Sequence, residues 1–594
     1  MSGRTPVRQD GYAPLRDYLG TGDGRSIALV ALDGSVDWWA LPDMDSPPAF
    51  AALLDPDGGG RIRLAPVQEC TAEHRYAGDT NVVETVFTTD TGSVRVTDAL
   101  NSGVAGRLPW SELGRRVEGL SGTVQMAWQV APGSALGTRS PWARSSERGP
   151  VLQAGDVAIG VRCSGVGEPQ VGDREVSGTF EAVAGSRGLL GVVATADEPL
   201  QLPAPAAIDG RIDRTIAGWQ EWSDTFSWDG PWPEAVRRSA LALKLLLHSP
   251  TGSIAAAATT SLPERLAGGK NWDYRYTWVR DTAYTLDAFV RCELHEEVHA
   301  AVAWLLTTVA RHGPQLHPFY CLDGSLPGGA RERDVPGYRG SRPVVDGNAA
   351  AAQLQLGPYG DLFQTVLLCV QESHVLDTGT QRLLADLADR CCDDWQRRDA
   401  GMWELPDEQH YTISKMSCWQ ALDRAARLCE LGELPGDGQR WRAEAARVHA
   451  WVEEHCWSER QQAYTMCAGG EELDAGVLLA ARFGFDRGER MAATVRAVCS
   501  ELGADPWLYR YTGMPGHEGA FLACTFWAVE ALAFTGQREQ ACALMERALG
   551  QLEDVPLLPE MIDPDTGELL GNLPQALSHL ALINAASAVA ETRG

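Results

Sequence analysis

No run of 18 apolar residues occurs in this chain, so no membrane-spanning helix is expected. The opening residues "MSGRTPVRQDGYAPLRDYLG" show no apolar h-region of a secretory signal, so a cytoplasmic protein is expected. Positive charge is scarce: 51 Lys and Arg face 79 Asp and Glu, a net charge of -28. Such a field repels phosphate backbones and anionic lipid, which argues against nucleic acid and membranes as partners. A neutral substrate meets no such barrier. CxxC spacing is absent too. The fourteen Cys are irregularly placed and read as reduced, mostly buried thiols. What the chain does have is 594 residues, 44% of them hydrophobic, enough for a large soluble core. It also has 20 Trp, whose flat rings fill cores and suit the C–H faces of sugars.

Two grammars follow one another along the chain. Residues 1–205 alternate apolar and polar side chains in short segments such as "SIALVAL", "VVETVFTTD" and "SVRVTDAL", separated by turns such as "DPDGGG". That pattern predicts an antiparallel β-sandwich. Residues 206–231 read as a linker. From 232 to 594 the chain reads as about a dozen helices, beginning with "PEAVRRSALALKLLLHS", which opens on Pro and carries a continuous apolar face. No short repeat is visible, so a closed toroidal α/α barrel is favoured over a solenoid. Two polar insertions, near 312–345 and 553–572, are long for a compact domain, and such loops are usually functional.

Three constellations carry chemistry. "NWDYRYTWVRD" (271–281) crowds Trp272, Tyr274, Tyr276 and Trp278 beside Arg280 and Asp281. Asp281 at a helix start suits a cap or a first-turn carboxylate. The rings and the Arg–Asp pair together suit a sugar, with rings over C–H faces and charges bonded to hydroxyls. In "GMWELPDEQHY", Glu404 follows Trp403. It is either a solvated loop glutamate or a carboxyl desolvated against an indole and able to act as a general acid. In "LLPEMIDPDTGELLGN", Glu560 sits in apolar surroundings and is either paired structurally or a base.

Two further motifs hint at other chemistry. "HEEVH" places His295 and His299 at i and i+4, as in zinc peptidases, but no third ligand follows at the expected spacing. "GTGDG" at 20–24 is Gly-rich, but no βαβ unit follows it.

Long motifs resemble glycoside hydrolase family 15, the bacterial glucoamylase and trehalase group, nearly end to end. They include "GDGRSIALVALDGSVDWWALPDMDSP", "GGKNWDYRYTWVRDTAYTLDAF", "PGYRGSRPVVDGNAAAAQLQL", "SKMSCWQALDRAARL" and "DPDTGELLGNLPQALSHLALINAA". The resemblance implies an all-α (α/α)6 barrel behind a β-sandwich and an inverting hydrolase of α-glucosides. It implies Glu404 as general acid and Glu560 as general base, with no metal and no cofactor. Tyr274, Trp278, Arg280, Asp281, Trp403, Arg510 and Glu518 would contact the sugar. The partner expected is a small-molecule or oligosaccharide α-glucoside, with a second copy of the chain left open. The missing signal and the lack of a starch-binding module favour trehalose over malto-oligosaccharides. A sugar-binding protein without catalysis is the contrasting reading, and retention of both glutamates argues against it. Four positions depart from the family pattern and bear on substrate choice and pH dependence: Lys270, Val345, Asp346 and Met561.

Overall fold

A computed structural model describes residues 3–592, apart from 314 and 373. The first part is all antiparallel sheet. Its axis is a 22-residue strand, Ser111–Pro132, that serves both layers of a sandwich. The first half of this strand pairs with Gly92–Leu100 and Arg187–Ala196, the second with Gly60–Pro66 and Val176–Val183. The strand changes layer near Gly122, which is left-handed (φ 59°); a Cβ there would lie 2.0 Å from the Thr91 carbonyl oxygen. Only glycine fits such a bend. Leu113 and Val117 from one half meet Val124, Met126 and Val130 from the other in a single core with Phe87, Ile159 and Leu190.

Thirteen α-helices follow among the described residues. The first, α1 (Pro205–Asp224), occupies the segment read from sequence as a linker. It starts on Pro and buries Ile208, Ile212 and Thr215 against the outer face of the sheet, beside Val82, Ala99, Leu189 and Val193. Its remaining face is polar and bonded to the strands: Arg211 grips Glu112, and Arg116 reaches Asp209 and Asp213. The Pro-rich entry "LPAP" and the charges interrupting the apolar stripe are why the segment looks like a linker.

The other helices are α2 (Pro233–Leu246), α3 (Val279–Arg291), α4 (His295–His312), α5 (Gly357–Gln371), α6 (Thr378–Asp394) and α7 (Thr412–Glu430). Then come α8 (Gly438–His455), the short α9 (Leu479–Phe483), α10 (Glu489–Glu501), α11 (Leu522–Phe534), α12 (Arg538–Gln551) and α13 (Ala576–Glu591). Contacts run α3–α5–α7–α9–α11–α13 and back to α3, closing an inner ring. The helices α2, α4, α6, α8, α10 and α12 pack outside it. The inner α11 and α13 are buried nearly all round, as a helix surrounded by neighbours must be. Before α5 the chain makes only a 3₁₀ turn, Ala349–Ala352, capped by Asn348. No helix among the described residues is long and apolar enough to cross a membrane.

The two parts share one interface. The Trp38 indole donates to the Ala258 carbonyl (2.8 Å), and the Tyr12 hydroxyl donates to the Gly337 carbonyl (2.7 Å). The fourteen cysteines are all unbridged, and half are fully buried.

Candidate active site

At one mouth of the inner ring, helix starts and connecting loops converge on a pocket. Tyr274, Trp278, Arg280, Asp281, Trp403, Glu404, Arg510 and Glu560 line it, with Met402, Phe521 and Gln575. Every sequence-predicted site residue is there except Glu518, which stands behind Arg510. The linings come from segments up to 321 positions apart, from Ala256 to Leu577.

The stretch 271–281 divides its charges. Asp273 and Arg275 form a fully buried bidentate pair pointing away from the pocket (2.8 and 2.7 Å). Arg275 also donates to the Ser46 carbonyl of the sandwich (2.7 Å) and to Asp346 (3.2 Å). This pair anchors the loop. Alternate residues Tyr274, Trp278 and Arg280 face inward. The short strand Thr277–Trp278 pairs with Phe319–Tyr320, and the Trp278 ring stacks on Phe319 at 4.2 Å. Trp272 is exposed and does not line the pocket.

Helix α3 starts at this point, with Trp278 as N-cap and no side-chain cap bond. Asp281 is therefore not the cap. It sits buried in the first turn and accepts from Arg280 Nη2 (3.0 Å). Burial raises the Asp281 carboxyl, and the Arg280 guanidinium opposes that rise. Arg280 also donates to the Met402 carbonyl (2.9 Å), tying α3 to the loop that carries Glu404.

Glu404 has a left-handed backbone (φ 58°), a conformation that costs a non-glycine residue roughly 1–3 kcal/mol. Its carbonyl accepts from Gln353 Nε2 (3.0 Å). The indole bonded to its carboxyl is not the adjacent Trp403 but Trp278, whose Nε1 donates to Oε1 (2.7 Å). Trp403 instead donates to Asp474 Oδ1 (2.8 Å) and packs edge-on against Phe521. Burial raises the Glu404 carboxyl above the usual range; Arg280 and the Trp278 bond pull it back.

Glu560 immediately precedes the strand Met561–Ile562, which pairs with Ala520–Phe521 and Leu569–Leu570. Its backbone is held on both sides: its N–H donates to the Asn572 carbonyl (3.2 Å) and its carbonyl accepts from Leu522 N (3.1 Å). Burial first, then the nearby Glu264, pushes its carboxyl well up, against the pull of Arg510. Both glutamates are raised, so electrostatics alone does not say which donates a proton.

Arg510 lies over Trp403 (5.4 Å) and Phe521 (5.7 Å). Its Nε donates to Glu518 Oε1 (2.6 Å) and its Nη2 to Glu264 Oε2 (2.8 Å). Lys270, one of the departures from the family pattern, donates to Glu518 Oε2 (2.6 Å). Val345 and Asp346 hold the loop by other means: the Val345 N–H donates to Ser261 Oγ (2.8 Å), and Asp346 pairs with Arg333 and Arg275. Met561 is buried in its strand.

Sequence reasoning missed Glu264, Asp474 and Asp361. Asp474 holds Trp403 and is pushed up to about 6 by burial. Asp361, on α5, is pushed up to about 7 by burial, and Arg280 pulls the other way. Nothing in the local sequence around an acidic residue on an ordinary helix or loop marks it as buried.

His295 and His299 lie on the outer helix α4, away from this lining. His295 Nδ1 is 3.6 Å from Glu372, and His299 stacks on His374. Among the described residues, no three His, Cys, Asp or Glu side chains cluster as a metal site would need.

Comparison with known proteins agrees with this architecture. The family model of glycosyl hydrolases family 15 matches residues 230–556, and a trehalase-like N-terminal model matches 14–177. The Glu560 loop lies just beyond the first of these. A trehalase of Mycolicibacterium smegmatis is 32% identical over 98% of this chain and 92% of its own. A trehalase of Thermoplasma acidophilum is 30% identical over 95% of this chain and 98% of its own. A bacterial glucoamylase solved in complex with acarbose matches the fold with a TM-score of 0.71, at 13% identity, over 99% of this chain and 97% of its own. A match that spans more than half the chain, together with full-length relatives at this identity, establishes that the chain belongs to glycosyl hydrolases family 15 and is a glycoside hydrolase.

Proposed function

We propose that the protein hydrolyses the α,α-1,1 bond of trehalose with inversion, Glu404 acting as general acid and Glu560 as general base. The observation that carries this reading is the convergence of both glutamates on one pocket with Arg280, Asp281 and two indoles. The full-length likeness to trehalases supports the substrate.

In this mechanism the Glu404 carboxyl gives its proton to the glycosidic oxygen as the C1–O bond breaks. Glu560 takes a proton from a water whose oxygen bonds to C1 from the opposite face. An inverting pair stands roughly 6.5–9.5 Å apart to admit that water. The chemistry moves protons and water only, which side chains can supply. The Trp278 indole fixes Glu404 Oε1, so Oε2 is the oxygen free to carry the proton. Arg280 and Asp281 bond sugar hydroxyls, and Tyr274 and Trp403 cover ring faces. Glu518 acts from behind, by orienting Arg510.

The unbridged thiols and the absence of a long apolar helix among the described residues support a cytoplasmic enzyme. The test is incubation of the protein with trehalose, maltose and maltotetraose, following free glucose and its anomer by proton NMR. Trehalose should be cleaved fastest, releasing β- and α-glucose in equal initial amounts, because the attacked carbon inverts and the leaving glucose keeps its α configuration. Preference for maltotetraose would make the enzyme an exo-acting glucosidase on malto-oligosaccharides. Initial release of α-glucose alone would refute inversion, since it requires a covalent intermediate.

A further inference from the structure

Behind the Glu560 side of the pocket lies a buried set of charges around Arg510, of which Glu264 has no part in the mechanism above. Arg510 is bonded at once by Glu264 (2.8 Å) and Glu518 (2.6 Å), and Lys270 closes the set on Glu518 (2.6 Å). Two cations thus meet two carboxylates, and the three central groups are almost completely buried. Glu264 is the unusual member. Only one of its oxygens is bonded; the other, Oε1, is buried without a partner. Its backbone is locked to the segments that carry the site. Its carbonyl accepts from Gly519 N (2.7 Å), and the carbonyl of Pro263 accepts from Gly571 N (2.8 Å), the residue pressed beneath Glu560. Glu264 does not line the pocket, so it has no sugar to hold.

The charged and titratable groups facing Glu560 are Glu264, Glu518 and Arg510 from behind and Tyr274 beside it, with Glu404, Arg280 and Asp281 across the pocket. Arg510 is the cation among them that pulls Glu560 down, and its charge is shared with Glu264 and Glu518. We propose that Glu264 is a positioning residue that sets when Glu560 ionises, by holding the Arg510 guanidinium from behind and adding its own negative charge beside the base. The inference rests on the reading of Glu560 as the base.

The direction follows from the charge on Glu264. Burial raises Glu264 to about 7, opposed by Arg510 and aided by Glu518. Glu560 is driven well above the ordinary carboxyl range, with Glu264 the second cause after burial. The Arg510 guanidinium, bonded to Glu264 Oε2 at 2.8 Å, favours the charged form of Glu264, so Glu560 titrates beside a negative neighbour. Removing that charge must let Glu560 ionise at lower pH.

The experiment is the pH profile of kcat/KM for Glu264→Gln, Glu264→Asp and Glu560→Gln, with thermal melts. Glu264→Gln keeps an acceptor for Arg510 but loses the charge. One limb of its profile should move to lower pH by about one unit or more, the other staying in place. Glu264→Asp keeps the charge and should keep both limbs. A purely structural role would lower kcat in either variant without moving a limb. Unmoved limbs in Glu264→Gln, or the same movement in Glu264→Asp, would overturn the proposal. If Glu264→Gln does not fold, Glu518→Gln removes charge from the same guanidinium; its limb must move the same way, and an unmoved limb again overturns the idea. Glu560→Gln separates the two levels: retained turnover there removes Glu560 as base, whereas an inactive Glu560→Gln with an unmoved Glu264→Gln limb refutes this inference alone.

Discussion

Gly571 offers a way to move one glutamate without touching its chemistry. A Cβ placed on it would lie 2.6 Å from Glu560 Cβ and 2.7 Å from Oε2. Ordinary contact begins at 3.4 Å, so Gly571→Ala must displace the Glu560 side chain by 3.4 − 2.6 = 0.8 Å. A misplacement of about 1 Å at a reacting group can cost about 100-fold in rate. Gly571 is also left-handed (φ 72°), where alanine costs about 1 kcal/mol or more. Gly567, in the hairpin turn before the strand Leu569–Leu570 and at the same φ of 72°, separates the two effects because a Cβ there meets nothing within 4 Å. Both alanine variants should lose similar stability in thermal melts. Only Gly571→Ala should lose about 100-fold in kcat on its substrate. Equal kcat in the two variants would refute the claim that Glu560 must occupy its present position.

Glu404→Gln and Glu560→Gln should each lower kcat by about 10²–10⁴-fold while remaining folded, read by glucose release beside circular dichroism. Asp281→Ala should lower kcat/KM far more than stability, because Asp281 makes no cap bond; a loss of roughly 0.5–2 kcal/mol with intact activity would instead mark a cap. Asp361 tests burial through pH. Its folded carboxyl, at about 7, lies above its ordinary 3.8, so between these values the unfolded chain has released a proton that the folded chain still holds. Stability from this group is therefore greatest below pH 3.8 and falls as pH rises towards 7. At about 1.4 kcal/mol per pH unit the fall comes to about 4 kcal/mol. Denaturant titrations of Asp361→Asn should accordingly show it gaining on the unsubstituted protein by about that amount between pH 4 and pH 8; a pH-independent difference would contradict the buried, protonated state.

Periodicity and turn grammar determined much on their own. Alternation in residues 1–205 specifies strands, and the 3.6-residue pattern after 232 specifies helices, because both are local responses of an amphipathic chain to water. The resemblance carried by the "WE", "PEMIDPDTG" and "YTWVRD" stretches marked most of the pocket, whereas their residues alone left Glu404 and Glu560 open between structural and catalytic uses. Three things escaped. Helix α1 hid in an apparent linker because its Pro-rich entry reads as a break and its apolar stripe, Ile208, Ile212, Ile216 and Trp219, is interrupted by charges that bond to the strands. The alternation that turns Asp273 and Arg275 into an anchor and leaves Arg280 and Asp281 for the pocket depends on the sandwich carbonyl at Ser46, more than 220 positions away. The Trp278 bond to Glu404, the Glu264 hold on Arg510 and the pressure of Gly571 on Glu560 join segments brought together only when the inner ring closes. Burial and pairing raise or lower a carboxyl through its three-dimensional surroundings, so the tertiary structure alone decided which acids carry perturbed protons.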